Sequence, residues 1–298
     1  MDDYALGVLT NIGLFSFLAL SAYVLLAAGE LSFGQQAFFG VGAYAGGMAT
    51  ALYGLPLAAA LAIAAVAGAV AQLAIALPAL RLRGLTFAMA TLAAAEMFRI
   101  GFELLRWRRD VGGEEAGPDG TQGFRGIRWV FEHGIEPAGY ALVVWAALAG
   151  TIALLMLAER SRLGVALRMV GEDAELAAQL GVDVQRAKLA AAGFAGALAA
   201  LGGALYAHHN TYIEPRNFDI MLGVHALAYA MIGGLGTALG PLLGVLLDIG
   251  LLEGSRVFQG WRMVVFGLVV ALLLAWRPRG LLDERAVHAI IRRFRWRP

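Results

Sequence analysis

Ionisable side chains within apolar stretches are the residues of this sequence that could carry chemistry. Glu96, Arg99 and Glu103 are three and four residues apart, so on a helix they can pair along one face as a structural ion network. Asp248 has no charged partner within its own apolar stretch, and with His225 on the neighbouring stretch it could form a proton site. That arrangement would suit a proton-coupled secondary transporter, which is one alternative function for the chain.

The sequence gives no comparable signal for a metal site or for an enzyme active site. His208, His209 and Glu214 lie close together but show no fixed ligand spacing, so we predict an interfacial loop and no metal site. The absence of cysteine excludes thiolate ligands, disulfides and cysteine nucleophiles. No Ser-His-Asp set is apparent, and Lys188, the only lysine, follows no phosphate-binding glycine loop. We predict a non-enzyme with no catalytic residues, no cofactor of its own and no nucleic acid partner.

The elements that must position these side chains are long apolar segments. Of the 298 residues, 60% are hydrophobic and only 15% are charged, and the apolar runs repeatedly reach the roughly 20 residues needed to cross a bilayer. We predict an all-α, polytopic integral membrane bundle, with about nine transmembrane helices in a range of eight to ten, forming one domain over residues 1–298. The predicted spans lie near residues 5–28, 36–53, 56–78, 84–105, 138–158, 188–208, 220–236, 238–255 and 261–277.

The distribution of basic residues predicts the orientation of this bundle. Most of the 23 lysines and arginines fall on one side of the predicted spans: Arg81 and Arg83, those within 159–188, and those from Arg277 to Arg297. The positive-inside rule makes that side the cytoplasm. The N terminus would then be periplasmic, and residues 278–298 would form a basic cytoplasmic tail.

A hydrophilic segment at residues 159–187 interrupts the apolar pattern on the predicted cytoplasmic side. Gly171 would interrupt a first amphipathic helix, Glu172, Asp173 and Glu175 suit the first turn of a second, and Gly181 would end it. We therefore predict two short helices that are presented to a partner. Apolar residues at helical spacing would share one face: Leu163, Leu167, Val170, Ala174, Ala177 and Leu180.

Two glycine-rich clusters, at residues 31–47 and 231–244, predict breaks in the helical pattern. Broken helices at membrane depth are typical of a substrate path, although close helix packing through glycine is the alternative explanation. The path candidates are Gln35, Gln36 and Tyr44 as polar contacts, Phe38, Phe39 and Met231 as apolar lining, and Gly233 and Gly234 at the second break. A passive channel for small solutes such as urea or amides is the other alternative function.

The run LSFGQQAFFGVGAYAGG resembles a signature of the permease subunits of branched-chain amino acid ABC transporters, in particular the LivM-type subunit. The similarity continues, in the family's order, through LRLRGLTFAMATLAAAEMFR, SRLGVALRMVGEDAELAAQLG, ALYAHHNTYIEPRNF, MIGGLGTALGPLLG and RPRGLL, and it covers roughly residues 20–282. The resemblance implies an ATP-driven importer of branched-chain or related hydrophobic amino acids in the bacterial inner membrane. Its partners would be a homologous LivH-type permease, two ABC ATPase subunits that use ATP and Mg, and a periplasmic amino acid binding protein.

The same resemblance assigns a role to the hydrophilic segment. Importers of this kind carry an E-A-A-x-x-x-G pattern where they dock on the ATPase, and Glu175, Ala177 and Gly181 match it, whereas Leu176 replaces the first alanine. Residues 159–187 would be the ATPase-coupling loop. Its acidic residues Glu172, Asp173 and Glu175 could meet basic residues of the ATPase.

Overall fold

The apolar stretches form helices in the computed structural model, which describes residues 3–111, 114–253, 261–277 and 280–282. The predicted all-α membrane fold is confirmed. The helices are α1 (Asp3–Ala27), α2 (Gln35–Ala51), α3 (Leu57–Ala79), α4 (Leu85–Leu104), α5 (Trp129–Glu132), α6 (Pro137–Arg160), α7 (Arg162–Glu172), α8 (Ala174–Gln179), α9 (Val184–Asn210), α10 (Ile220–Gly233), α11 (Gly240–Val245) and α12 (Arg262–Trp276). A π-helical stretch, Leu246–Glu253, continues α11.

The protein is a multi-pass membrane protein. Within the described residues, five helices are long and apolar enough to cross a bilayer, as judged by length and composition, namely α1, α3, α4, α6 and α9. The other four predicted spans correspond to shorter helices, namely α2, α10, α11 with its π-helical continuation, and α12. Two hydrophobic cores hold these helices together. The larger involves α1, α2, α6 and α9, and the smaller joins part of α1 to α10, α11, the π-helical stretch and α12.

Helix α9 packs against α1, α2 and α3 at distances that only glycine permits. A Cβ built on Gly42 of α2 would lie 2.0 Å from the carbonyl oxygen of Ala200, and one on Gly203 would lie 1.8 Å from the carbonyl oxygen of Phe39. Any side chain at these positions would push the helices apart. Lipid offers no hydrophobic drive for helix association, so backbone approach of this kind stabilises the bundle.

The predicted break at residues 31–47 is wrong for most of its length. Only the residues before Gln35 are non-helical, and α2 then runs without interruption to Ala51. Glycine costs a helix interior about 1 kcal/mol relative to alanine, but the contacts of α2 with α9 offset that cost. The second predicted break is confirmed, because α10 ends at Gly233 and α11 begins at Gly240.

A small antiparallel sheet lies between α4 and α6 and contains the only named strands in the described residues. Its strands are β1 (Arg109–Val111), β2 (Glu114–Pro118) and β3 (Phe124–Arg125), paired in the order β1-β2-β3. The Phe124 N–H donates to the Ile213 carbonyl at 2.7 Å, and the Ile213 N–H donates back at 3.1 Å. The sheet is thereby fixed to the segment that follows α9.

Candidate coupling segment and translocation path

The hydrophilic segment folds as the two predicted short helices, α7 and α8. Ser161 caps α7 by accepting a hydrogen bond from the Gly164 N–H at 3.4 Å. Asp173 caps α8, because its Oδ1 accepts from the N–H groups of Glu175 at 2.9 Å and Leu176 at 3.0 Å. The helices therefore separate at Asp173. The prediction that Gly171 interrupts the first helix is wrong, since α7 continues through it to Glu172.

Gly181 ends α8 as the sequence predicts. Its φ of +85° lies in the left-handed region that favours glycine. The Gly181 N–H donates to the Ala178 carbonyl and the Val182 N–H donates to the Ala177 carbonyl, which is the hydrogen-bond pair of a Schellman motif. The end of α8 is thus specified by local sequence.

The apolar residues of α7 and α8 divide into two groups instead of sharing one face. Val170 and Ala177 are buried against the rest of the chain, whereas Leu163, Leu176 and Leu180 are more than half exposed. The prediction of a single apolar face is wrong because the helical run is interrupted at Asp173, so α7 and α8 are separate helices. The buried residues hold the segment in place, and the exposed leucines remain available for a partner.

Close backbone contact fastens α7 to the end of α1. A Cβ on Gly171 would lie 2.2 Å from the Ala27 carbonyl oxygen, and a Cβ on Gly29 would lie 3.1 Å from the Gly171 Cα. Gly29 has a φ of +79°, so the turn after α1 also favours glycine. A side chain at position 171 would move α7 away from α1.

A polar cluster links α7 to three other parts of the bundle. The Tyr23 hydroxyl on α1 donates to Oε1 of Glu159 on α6 at 2.5 Å. Nη2 of Arg168 on α7 lies 3.5 Å from the other oxygen of Glu159 and donates to the Gly236 carbonyl at 3.4 Å. Tyr23, Glu159 and Arg168 also line an otherwise apolar cavity of about 320 Å³ between α1, α6, α7 and α9. Sequence reasoning missed this cluster, because Tyr23 and Glu159 alone are 136 residues apart.

Helix α8 makes fewer contacts with the rest of the chain than α7 does. Glu175 lies 3.9 Å from Arg83, but both side chains are more than four-fifths exposed. An ion pair this exposed contributes little to stability. Glu172 and Asp173 are also exposed, whereas Ala177 is buried. The predicted coupling residues therefore form an exposed acidic tip that is anchored through Ala177.

Two of the path candidates, Gln35 and Gln36, are buried at the start of α2. The Gln35 amide nitrogen donates to the Ser32 hydroxyl at 3.3 Å, but the side-chain oxygens of both glutamines have no hydrogen-bond partner among the described residues. A Cβ on Gly223 of α10 would lie 2.1 Å from the Gln36 oxygen. The start of α2 thus directs a buried acceptor at the first turns of α10.

The aromatic path candidates belong to a packed cluster. Tyr44 stacks on Phe102 with ring centroids 4.5 Å apart, and Phe39 lies 6.2 Å from Phe218. Phe38 has an edge contact with Phe98. This arrangement agrees with simple packing for Phe38 and Phe39. The Tyr44 hydroxyl, however, is a third buried polar group with no hydrogen-bond partner among the described residues.

The remaining path candidates lie at the opposite end of α10. A Cβ on Gly233 would lie 1.9 Å from the Gly240 carbonyl oxygen, and Gly234 has a φ of +93°. The Leu282 N–H donates to the Gly233 carbonyl at 2.9 Å and the Leu281 N–H donates to the Ile232 carbonyl at 2.9 Å, so these two leucines pack on the end of α10. Met231 is half-buried beside them. At 1.5 Å per residue, about 15 Å of α10 separates this group from Gly223, so the two predicted path groups do not meet.

Comparisons with known proteins define the family. A family model described as the permease component of branched-chain amino acid transport systems matches residues 4–274. The chain belongs to this family. No solved structure matches it.

The relatives of this permease include proteins of two kinds. It is 28% identical to the Escherichia coli protein named high-affinity branched-chain amino acid transport system permease protein LivM, over 93% of this chain and 69% of the relative. The LivM protein of Salmonella typhimurium is 27% identical over 86% of this chain and 64% of the relative. The Escherichia coli LivH protein is 29% identical over about half of each chain. The match to LivM extends further along the permease.

Asp248 of the permease is paired within its own fold. Its Oδ1 accepts from Nε of Arg262 at 3.1 Å, and its Oδ2 accepts from Nη2 of Arg262 at 3.1 Å and from the Tyr229 hydroxyl at 2.6 Å. His225, the partner considered from sequence, stacks on Phe266 instead. The arrangement is a structural ion pair between α12 and the π-helical stretch. It removes the observation that favoured a proton site.

The histidines near the end of α9 are also accounted for by the fold. The His208 ring lies 2.9 Å from the Thr50 hydroxyl and 2.7 Å from the Ala204 carbonyl oxygen, and the His209 ring stacks on Tyr140. No group of three metal-ligating side chains occurs in the part of the permease that the structure describes.

Proposed function

We propose that the permease is a membrane-spanning subunit of an ATP-driven ABC importer of branched-chain or related hydrophobic amino acids in the bacterial inner membrane. Family membership over residues 4–274 and the names of its LivM and LivH relatives support this proposal. Its partners would be a LivH-type permease, two ABC ATPase subunits and a periplasmic amino acid binding protein. ATP and Mg would be bound by the ATPase subunits.

The observation that carries the proposal is the pair of helices α7 and α8. A hydrophilic pair with an exposed acidic and leucine-bearing tip suits a groove on a soluble partner. In our proposal Glu172 and Glu175 meet basic residues of the ATPase, while Asp173 and Gly181 fix the ends of α8 and Ala177 anchors it. Because α7 is fastened to α1, α6 and the turn after α10, displacement of the tip would be transmitted into the spans.

The proposed orientation follows from this docking. The turn that contains Gly236, the end of α1 and α7 lie together, so docking on a cytoplasmic ATPase would make this side cytoplasmic. The N terminus would be periplasmic and the C-terminal tail cytoplasmic. Of the tail, residues 278–298, only 280–282 fall within the described residues.

The proposed path begins with the buried polar groups at the start of α2. Gln35, Gln36 and Tyr44 hold hydrogen-bonding atoms without partners among the described residues, and a passing amino acid could satisfy them. Phe38 and Phe39 would support this surface by packing. Met231, Gly233 and Gly234 would belong to the cytoplasmic end of the path, beside the coupling segment.

Reconstitution tests the proposal. The permease would be co-expressed with its genomic neighbours, purified, and assayed in proteoliposomes for uptake of labelled leucine with binding protein. We expect an ATPase and a second permease to copurify and uptake to require ATP. Solute flux by the isolated chain without ATP would contradict the proposal. Exchange of Glu175 for Arg together with Gly181 for Pro should dissociate the ATPase, and Gly150→Ala, at an open position of α6, is the matched control.

A further inference from the structure

One face of α4 carries charge at a depth where membrane helices are normally apolar. The 20 residues of α4 form a helix about 30 Å long, which matches the thickness of the hydrocarbon core. Glu96 lies close to the midpoint of this helix, and Arg99 and Glu103 follow on the same side within two turns. Glu96 is therefore near the centre of the bilayer if α4 crosses it directly.

The three side chains form one ion-paired group. Nε of Arg99 donates to Oε1 of Glu96 at 2.8 Å, and Nη1 of Arg99 donates to a carboxylate oxygen of Glu103. The predicted ion network is thus confirmed. Two carboxylates share one guanidinium, so the group carries one net negative charge when both are ionised. The Glu96 side chain is 36% exposed, and the other two are also partly exposed.

The surface position of this group contrasts with the position of the pair Asp248–Arg262. Asp248 is fully buried and is matched by Arg262 inside the fold. The α4 group instead faces outward, flanked by the exposed side chains of Met89 and Ile100, which lie on the same side of the helix. Charged side chains within spans face protein or water, because exposure to hydrocarbon is costly. This face of α4 therefore requires a cover other than lipid.

The other flank of α4 has the opposite character. Phe98 joins α3 residues in a groove that is lined only by apolar side chains, among them Val66 and Val70. Such a surface suits lipid acyl chains. Helix α4 thus stands at a boundary between a lipid-compatible flank and a charged flank.

We propose that the charged face of α4, defined by Glu96, Arg99 and Glu103, is the surface on which the second permease subunit packs. This inference rests on the proposed function, which supplies that subunit. The net negative charge calls for a basic or hydrogen-bond-donating side chain on the partner. A homologous permease is the occupant that can provide such a group at mid-membrane depth while excluding lipid.

Site-directed cross-linking tests this surface. The chain has no cysteine, so a single introduced cysteine can be labelled without background. Met89→Cys and Ile100→Cys place a photoactivatable maleimide on the charged face, and Val66→Cys places it on the apolar flank as a control of similar exposure. In the co-expressed transporter in membranes, we expect at least a tenfold higher yield of the adduct between the two permeases from Met89→Cys and Ile100→Cys than from Val66→Cys.

Three outcomes would overturn the inference: equal yields from the two flanks, adducts of Ile100→Cys with lipid only, and adducts between two copies of this chain. Failure of any second permease to copurify would instead contradict the proposed function. Glu96→Gln gives an independent measurement. At a subunit interface it should lower recovery of the second permease severalfold, whereas at a lipid-facing surface recovery should be unchanged or higher.

Discussion

The ion pair between Asp248 and Arg262 allows structural and proton-coupling roles to be separated by experiment. The Asp248 side chain is 1% exposed and that of Arg262 is 35% exposed. Arg262→Gln would leave a carboxylate buried without its charged partner, which costs about 3–5 kcal/mol. Asp248→Asn would leave a cation that water can partly reach, and we expect a smaller loss of about 1–3 kcal/mol.

The magnitudes translate into a measurable difference in thermal stability. Taking about 2–4 °C per kcal/mol, which is the scale for domains of somewhat smaller size, Arg262→Gln should lower the Tm of the purified permease by at least about 6 °C. Tyr229→Phe removes one hydrogen bond to the same carboxylate but leaves its charged partner in place, and it should cost about 1.5–3 kcal/mol. The double variant Asp248→Asn with Arg262→Gln should lose less stability than the sum of the two single variants, because the pair is already broken in either one.

The assay is thermal unfolding in detergent, followed in parallel with ATP-dependent uptake in proteoliposomes. We expect Asp248→Asn protein that remains folded to transport leucine still. Complete loss of uptake at unchanged Tm would refute a structural role and restore a proton site. A larger stability loss for Asp248→Asn than for Arg262→Gln would refute the burial argument.

Three further predictions address packing and coupling. Gly42→Val should prevent α2 from approaching α9 and abolish recovery of folded protein, whereas Gly150→Val, where a Cβ meets no atom within 4 Å, should be recovered normally in the same detergent-solubilised size-exclusion profile. Glu159→Gln should weaken the link to Tyr23 and Arg168, so that leucine uptake per ATP hydrolysed falls severalfold while ATPase binding is retained. An equal loss of uptake and of ATPase binding would contradict a coupling role. Gly181→Val places a β-branched residue at a φ of +85°, which costs about 1–2 kcal/mol. It should therefore reduce ATPase copurification. Unchanged copurification would show that the end of α8 does not determine ATPase binding.

The sequence alone was sufficient for the features that are encoded locally. Apolar runs predicted the spans, and the acidic residue Asp173 and Gly181 are local signals that set the two ends of α8. The glycines of α2 were misjudged because a helix-breaking glycine and a helix-packing glycine look the same without the neighbouring helix. Here the deciding contact comes from Ala200, far along the chain.

Side-chain pairs between residues that are distant in sequence could not be predicted from residue spacing. Arg262 lies 14 residues from Asp248 and on a different helix, and Tyr23 lies 136 residues from Glu159. Each pair joins two different elements of the fold, so no periodicity within one segment reports the contact. The small sheet between α4 and α6 was missed because its strands have five residues or fewer.

The division of the hydrophobic interior into two cores has a mechanical consequence. Helices α2, α3 and α9 approach so closely that a Cβ built on Gly42, Gly68 or Gly203 would lie within 2.3 Å of an atom of a neighbouring helix, and we expect these three helices to move together. The smaller core carries α10, α11 and α12, whose helices are short and whose π-helical stretch contains Asp248. Helix α1 belongs to both cores and is also the helix that α7 touches at Gly171. We expect α10, α11 and α12 to rotate about α1 relative to α2, α3 and α9.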